Sequence, residues 1–396
     1  MIREELKKIW RPRNFIVFAI LCVFFWVVTL EYNVKFFPNG AENQAAFPIQ
    51  AEWVEKYGTT LEDDEIDEIL AGYDALCKEL ETTFDGEPLF KQYQITTYEE
   101  FKTFFDNSWD DDKQLEDADM MQNYLMEQEH FWDIYAIDNC LRFVEEFQTE
   151  GAAFFDYMLE GDYTEQEYDN AVRTVIEEEG WRNILPYEIP QVTTNYWGGL
   201  MALAILSVCI MTVPLLVRDR MYRMRSLQWS SKKGRSIIFA LFGAVVLSAF
   251  LLATFFLVFF GAIFATNQTW LFWNCRMYSF DAITPCWGNW IYGTYCIILA
   301  AIYYVVSIGS AALAFLLSRF SSNYVSMLLK LIPMYVVLYV MCRNFSFEVF
   351  YYSNDLFKLI GIPYIEAIVP MLLLVIGIAA VVLVCKKQKN MELLTD

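Results

Sequence analysis

The sequence predicts an all-α polytopic membrane protein: six transmembrane helices, with a mainly helical extracellular domain inserted between helices 1 and 2. Three observations carry this. The chain is 56% apolar and 17% aromatic, yet its formal charge is −21, and one soluble fold rarely combines the two, so they should occupy separate segments. They do: Val34 to Asn195 holds 40 acidic and 9 basic residues, a net of −31, while the remainder carries +10. Outside that block, six stretches are apolar over about 20 residues, the length a helix needs to cross roughly 30 Å of hydrocarbon. An acidic water-exposed half also argues against nucleic acid as a partner, because phosphate recognition needs a basic face.

Residues 1–13, MIREELKKIWRPR, place Ile2, Leu6, Ile9 and Trp10 on one helical face and charges such as Lys7 and Lys8 on the other, with Pro12 ending the pattern. This predicts an amphipathic helix lying in the membrane interface. The first span, residues 14–33, follows. Its core FIVFAILCVFFWVVTL is long for a signal peptide and precedes no small-x-small cleavage site, so it is read as an uncleaved helix.

The acidic block, 34–195, reads mainly as helix. Leu61, Ile66, Ile69, Tyr73, Leu76, Leu80 and Phe84 recur at three- and four-residue steps; a second long pattern runs from Leu115 to Phe147, and shorter ones cover Tyr98–Phe105 and Thr164–Glu179. Capping boxes are expected at Thr59/Glu62, Thr97/Glu100 and Thr164/Glu167. Pro186, Pro190 and the VTTN run form the lead into the second span.

Five further spans fill residues 196–385: Tyr196–Val217, Ile237–Ala265, Trp290–Leu317, Tyr324–Met341 and Ile365–Cys385, before a tail at 386–396. The segments that share a side with the N-terminus hold 17 basic residues, whereas the two short loops on the other side hold only Arg276, Arg343 and Lys358. The positive-inside rule therefore predicts both termini in the cytoplasm and 34–195 outside the cell membrane.

The catalytic inventory is thin. His130 is the single histidine, which removes multi-histidine metal sites and leaves a Ser-His-Asp arrangement improbable. No GxxxxGK[ST] occurs, so no phosphate-cradling loop is expected. An integral-membrane enzyme would have to rely on carboxylates alone. Asp106-Asn-Ser-Trp-Asp110-Asp111-Asp112 invites calcium, but Asp111 stands where a calcium loop needs its turn glycine, and a solvated loop is favoured. Cys77, Cys140, Cys275 and Cys286 lie on the outer side, where disulfides persist; 77/140 and 275/286 are candidate pairs that sequence does not decide. Glu31 and Glu366 fall at the outer boundary, as lining of an outer vestibule or as snorkelling carboxylates. No span carries a charge at its middle, where one would cost roughly 3 kcal/mol, and this argues against an ion-coupled carrier.

The loop 218–235, RDRMYRMRSLQWSSKKGR, carries seven basic residues and one acid. Its cluster Arg218-Asp219-Arg220, then Arg223, then Arg225-Ser226-Leu227, then Lys232-Lys233 entering span three, resembles the membrane subunit of an ABC transporter of the type-two exporter family (type V fold). The amphipathic lead, six spans and large outer domain after span one extend the resemblance over the chain in topology, although a glycine expected just after the acid is absent. The resemblance implies a permease without its own ATPase site. It would pair with a second copy or paralogue and be driven by a partner ATPase dimer that holds ATP and magnesium, with no cofactor in this chain. The loop and the N-terminal helix would be the ATPase coupling elements. A cationic peptide or an amphiphile is the expected substrate. The competing expectation is a non-transporting membrane sensor or assembly protein whose outer domain binds a ligand.

Overall fold

Prolines and capping groups set the boundaries of the first elements. The computed structural model describes residues 2–149, 172–222, 237–279, 289–346 and 364–390, with 151, 153, 169 and 362 in addition. Helix α1 (Ile2–Ile9) ends before Arg11, whose backbone is extended (φ −95°, ψ 148°) because Pro12 disfavours the helical region for its predecessor. Pro12 then opens α2 (Pro12–Phe25), which widens into a π-helical turn over Trp26–Leu30. The insert follows with α3 (Ala41–Tyr57), α4 (Asp63–Glu81), α5 (Tyr98–Asp106), α6 (Asp112–Met126) and α7 (Phe131–Thr149). The bundle then comprises α8 (Glu188–Thr212), its extension α9 (Pro214–Met221), α10 (Ile237–Phe264), α11 (Tyr292–Phe320), α12 (Tyr324–Ser346) and α13 (Ile365–Asn390).

Six segments are long and apolar enough to cross a membrane: Pro12–Leu30, Glu188–Met221, Ile237–Asn267, Tyr292–Phe320, Tyr324–Met341 and Ala367–Lys387. The protein is therefore an all-helical multi-pass chain; among the described residues there is no strand, only the isolated bridges Thr60–Asn183 and Arg276–Ile291. Large apolar side chains stay exposed along the outer faces, among them Ile16, Val23, Phe255, Leu329, Val337 and Val375. A soluble protein rarely leaves so much apolar surface uncovered.

Helix α11 is the hub, packing against α8, α10, α12 and α13. Its small residues let α13 close in: a Cβ at Gly309 would stand 3.2 Å from Leu373 Cδ2, and one at Gly377 would stand 3.2 Å from the Ala312 methyl. That is the small-residue packing expected between membrane helices. One continuous apolar core runs from Leu203, Val208 and Leu299 of the bundle to Trp53, Ile69 and Val144 of the insert, while Leu80, Phe90, Phe101, Met121 and Phe131 form a second core inside the insert alone.

Several expectations need correction. The long pattern Leu115–Phe147 is two helices, α6 and α7, because His130 takes a left-handed backbone (φ 67°) between them. Helix α3 was not in the pattern; Pro48, tolerated inside it, masks the periodicity. The first capping box lies three residues later than expected: Glu62 is the cap of α4 and its N–H donates to Glu65 Oε2 at 2.8 Å. Thr97/Glu100 forms as expected, and Thr164/Glu167 falls outside the described residues. The second span begins at Glu188, not Tyr196. Cys77 and Cys140 are not joined: Cys77 belongs to the insert's own core, whereas Cys140 faces α3, where its Sγ accepts from Gln50 Nε2 at 3.0 Å. Cys275 is a buried thiol, and Cys286 lies outside the described residues.

Candidate functional site

At the end of the bundle away from the insert, Pro214 interrupts the long second span and leaves backbone groups without helical partners. Ser318 of α11 supplies them: its Oγ accepts from the Leu216 N–H at 3.1 Å and donates to the Val213 carbonyl at 2.5 Å. One turn later the Arg220 guanidinium donates to the carbonyls of Arg319 and Ser321, each at 2.6 Å. A cation on the last carbonyls of a helix satisfies orphan acceptors and opposes the macrodipole. Arg220, expected to meet a partner, is thus committed to fastening α9 onto α11. Arg218 and Asp219 lie beside Arg11, whose pKa is lowered first by burial, then by Arg218 and Arg13, and partly restored by Asp219 and Tyr324. Arg223, Arg225, Ser226, Leu227, Lys232 and Lys233 lie outside the described residues.

The amphipathic helix α1 docks beside this corner. Its apolar face turns onto α10: Ile9 is fully covered, and Trp10 Nε1 donates to Ser248 Oγ at 3.0 Å. Lys7 pairs with Glu4 (2.9 Å) on the exposed side, whereas Glu5 is buried on the face of Ile9 and pairs with the half-buried Lys8 (2.8 Å), and Ile2, expected on the apolar face, is exposed. Trp10 is therefore a protein contact as well as an anchor.

At the insert end, Glu31 sits 3.9 Å from Lys35 and does not line the adjacent hollow; the side chain of Glu366 is outside the described residues. The hollow, about 330 Å³, lies among α2, α8 and α12 and is lined by Thr29, Asn33, Gln191, Asn195, Gly199 and Arg343, among others. Gly199 allows the close approach, since a Cβ there would stand 2.9 Å from both Thr29 Oγ1 and Leu30 Cδ2. The π-turn of α2 presents Thr29 at this contact, and such turns recur where a helix serves function. Sequence reasoning missed these lining residues; the signal was the polar run VTTN followed by Gly198-Gly199 within an apolar span.

The insert holds a larger cleft, about 800 Å³, between α4, α5 and α7. Its walls include Tyr73, Tyr98, Phe105 and Tyr135, with Glu99, Asp106 and Asp138 near the Lys102 ammonium. Asp138 Oδ1 accepts from Tyr73 OH (3.0 Å) and Lys102 Nζ (2.8 Å). Burial works to lower the Lys102 ammonium, but Asp138 and then Glu99 raise it overall; burial first, then Asp138, pushes the Tyr73 phenol well up. The cleft therefore holds an ammonium against carboxylates and the Tyr98 ring, 6.0 Å away. His130 lies outside it, 3.5 Å from both Glu79 and Asp133. In the Asp106–Asp112 run, Asp111 Oδ1 accepts from the Lys113 and Gln114 N–H groups at 2.9 and 3.2 Å, capping α6. Among the described residues no group of His, Cys, Asp or Glu is arranged to hold a metal ion.

No family model matches the chain, and neither the curated proteins nor the solved structures include a significant match to it.

Proposed function

We propose that this chain is the permease subunit of an ATP-driven ABC exporter, working as a homodimer or heterodimer with a partner ATPase pair that binds ATP and magnesium. Both termini and the basic segment 218–235 face the cytoplasm of a cell membrane, and the acidic insert faces outward. What supports the reading is the mechanical path from that segment. Its first turn is fastened to α11 through Arg220, and the helical turn just before it through Ser318, and α11 touches four other bundle helices. A pull on the loop reaches the centre of the bundle through hydrogen-bonded, packed elements, not through a slack tether. Arg11, Arg13 and Arg218 supply a basic corner for an acidic partner surface.

The substrate class that fits the insert is a cationic peptide, steered by its −31 surplus and received by the aromatic, carboxylate-lined cleft. The same cleft favours the second reading, a non-transporting sensor or assembly protein that binds a ligand through its outer domain. Purification in mild detergent separates the two: the exporter reading requires a co-purifying ATPase. In the reconstituted complex, Arg223→Glu with Arg225→Glu should abolish stimulation of ATP hydrolysis by the permease. Transport that is unchanged in that variant, or undiminished without any ATPase, rejects the proposal.

A further inference from the structure

A second cavity lies between α8, α10 and α11 at the insert end of the bundle, about 340 Å³ in volume and lined almost wholly by apolar atoms. Its inner wall is the buried face of α8, with Tyr196, Trp197 and Leu200, and its side walls are Leu257 and Gly261 of α10 and Ile297 and Ala300 of α11. The few polar groups inside already have partners: Thr193 Oγ1 and Tyr292 OH share a hydrogen bond of 2.7 Å, and Tyr196 OH donates to the Phe260 carbonyl at 2.7 Å. Nothing in the cavity calls for a polar ligand.

The mouth decides what enters. Ile297 is 61% exposed on the outer surface of a span, and Trp270 and Trp273, 59% and 42% exposed, frame the opening from the loop after α10. At 1.5 Å per helical residue, Ala300 and Leu257 lie within about 12 Å of their helix ends. The opening thus faces sideways, at the depth where indoles mark the boundary between headgroups and hydrocarbon. The material against it in a bilayer is acyl chain.

We infer that the cavity is a lateral binding site for one acyl chain of a membrane lipid from the leaflet on the insert side. Gly261 lines the cavity, and a Cβ there would meet no atom within 4 Å, so a longer side chain at this position has open space to fill. The site rests on the six helices crossing a bilayer and not on coupling to an ATPase, so it stands or falls separately from the exporter reading.

The test uses the full-length chain in proteoliposomes containing a phosphatidylcholine with a photoreactive diazirine in its acyl chain, followed by peptide mapping. Annular lipid reaches Ile297 and the exposed Leu329 and Val337, but Tyr196 and Leu200, nearly fully buried, are reachable only through the cavity. Labelling of Tyr196 or Leu200 is expected, and Gly261→Leu or Ala300→Leu should lower it at least fivefold while leaving Leu329 and Val337 unchanged. Label on Ile297 with none on Tyr196 or Leu200 overturns the site, as does label on α8 that neither plugging variant reduces.

Discussion

Arg220 shows how a charged residue can look like a docking contact and serve as a fastener. The same guanidinium that would suit an acidic partner is held by two α11 carbonyls at 2.6 Å. Arg220→Ala should destabilise the bundle by about 2 kcal/mol, since charge-assisted hydrogen bonds to buried acceptors are lost. Arg220→Lys should recover only part, because one ammonium does not span both carbonyls as a planar fork does; thermal unfolding in detergent measures both. Cys77 carries a second prediction. Burial, opposed by the Tyr73 hydrogen bond and helped by smaller pushes from Glu81, Asp138 and Asp74, moves its thiol from 9.0 up to about 11. Thiolate is the reactive form, so maleimide labelling of folded protein at pH 8 should be about 100-fold slower than after unfolding, the two-unit shift alone accounting for that factor. Because the folded value is raised, the stabilising contribution of the neutral thiol is fully present below pH 9 and is lost as pH rises through 11.

At the scale of elements, helix starts are decided by which oxygen reaches a free N–H. Thr97 Oγ1 accepts from the Glu100 N–H at 3.2 Å, and Glu100 answers to the N–H groups of Thr96 and Thr97; those same hydrogen bonds hold the Glu100 carboxyl below its ordinary value. Thr97→Ala should therefore cost about 1 kcal/mol of insert stability, whereas Thr59→Ala should leave the chemical-denaturation midpoint unchanged, because Glu62 and Glu65 perform that task. The two threonines are equivalent by spacing and differ only in where the chain turns. Thr59 instead lends its carbonyl to the Ile184 N–H (3.1 Å), joining the entry of the insert to its exit.

On the scale of the whole molecule, the insert is tied to the bundle by more than its two ends. Glu178 accepts from Asn289 Nδ2 at 2.8 Å and lies 3.5 Å from Arg276, both in the loop that links α10 to α11. Phe47 of α3 packs on Phe272 of the same loop, with ring centroids 5.7 Å apart. That loop also frames the lateral cavity, and Gly293 lets its Trp273 indole lie against the start of α11, since a Cβ there would come within 2.4 Å of the ring. Glu178→Ala should raise hydrogen exchange in residues 276–279 and 289–291 while leaving the middle of α11 protected; exchange unchanged at both places would show that the Glu178 contacts do not hold the loop.

Six spans and the segregation of acid from grease were legible because each is a local property: hydropathy over 20 residues and charge over a block need no knowledge of neighbours. The start of the second span was not legible. Thr193 and Thr194 read as polar lead-in to a span opening at Tyr196, yet they are helical and buried, their hydroxyls paired with Tyr292 and Tyr295. That Cys77 and Cys140 stay apart, which arginine is already occupied, and where cavities open were likewise decided only by tertiary structure. Each depends on partners about 60 to 100 residues away in sequence, and a polar group's worth in an apolar bundle is set by whether such a partner arrives.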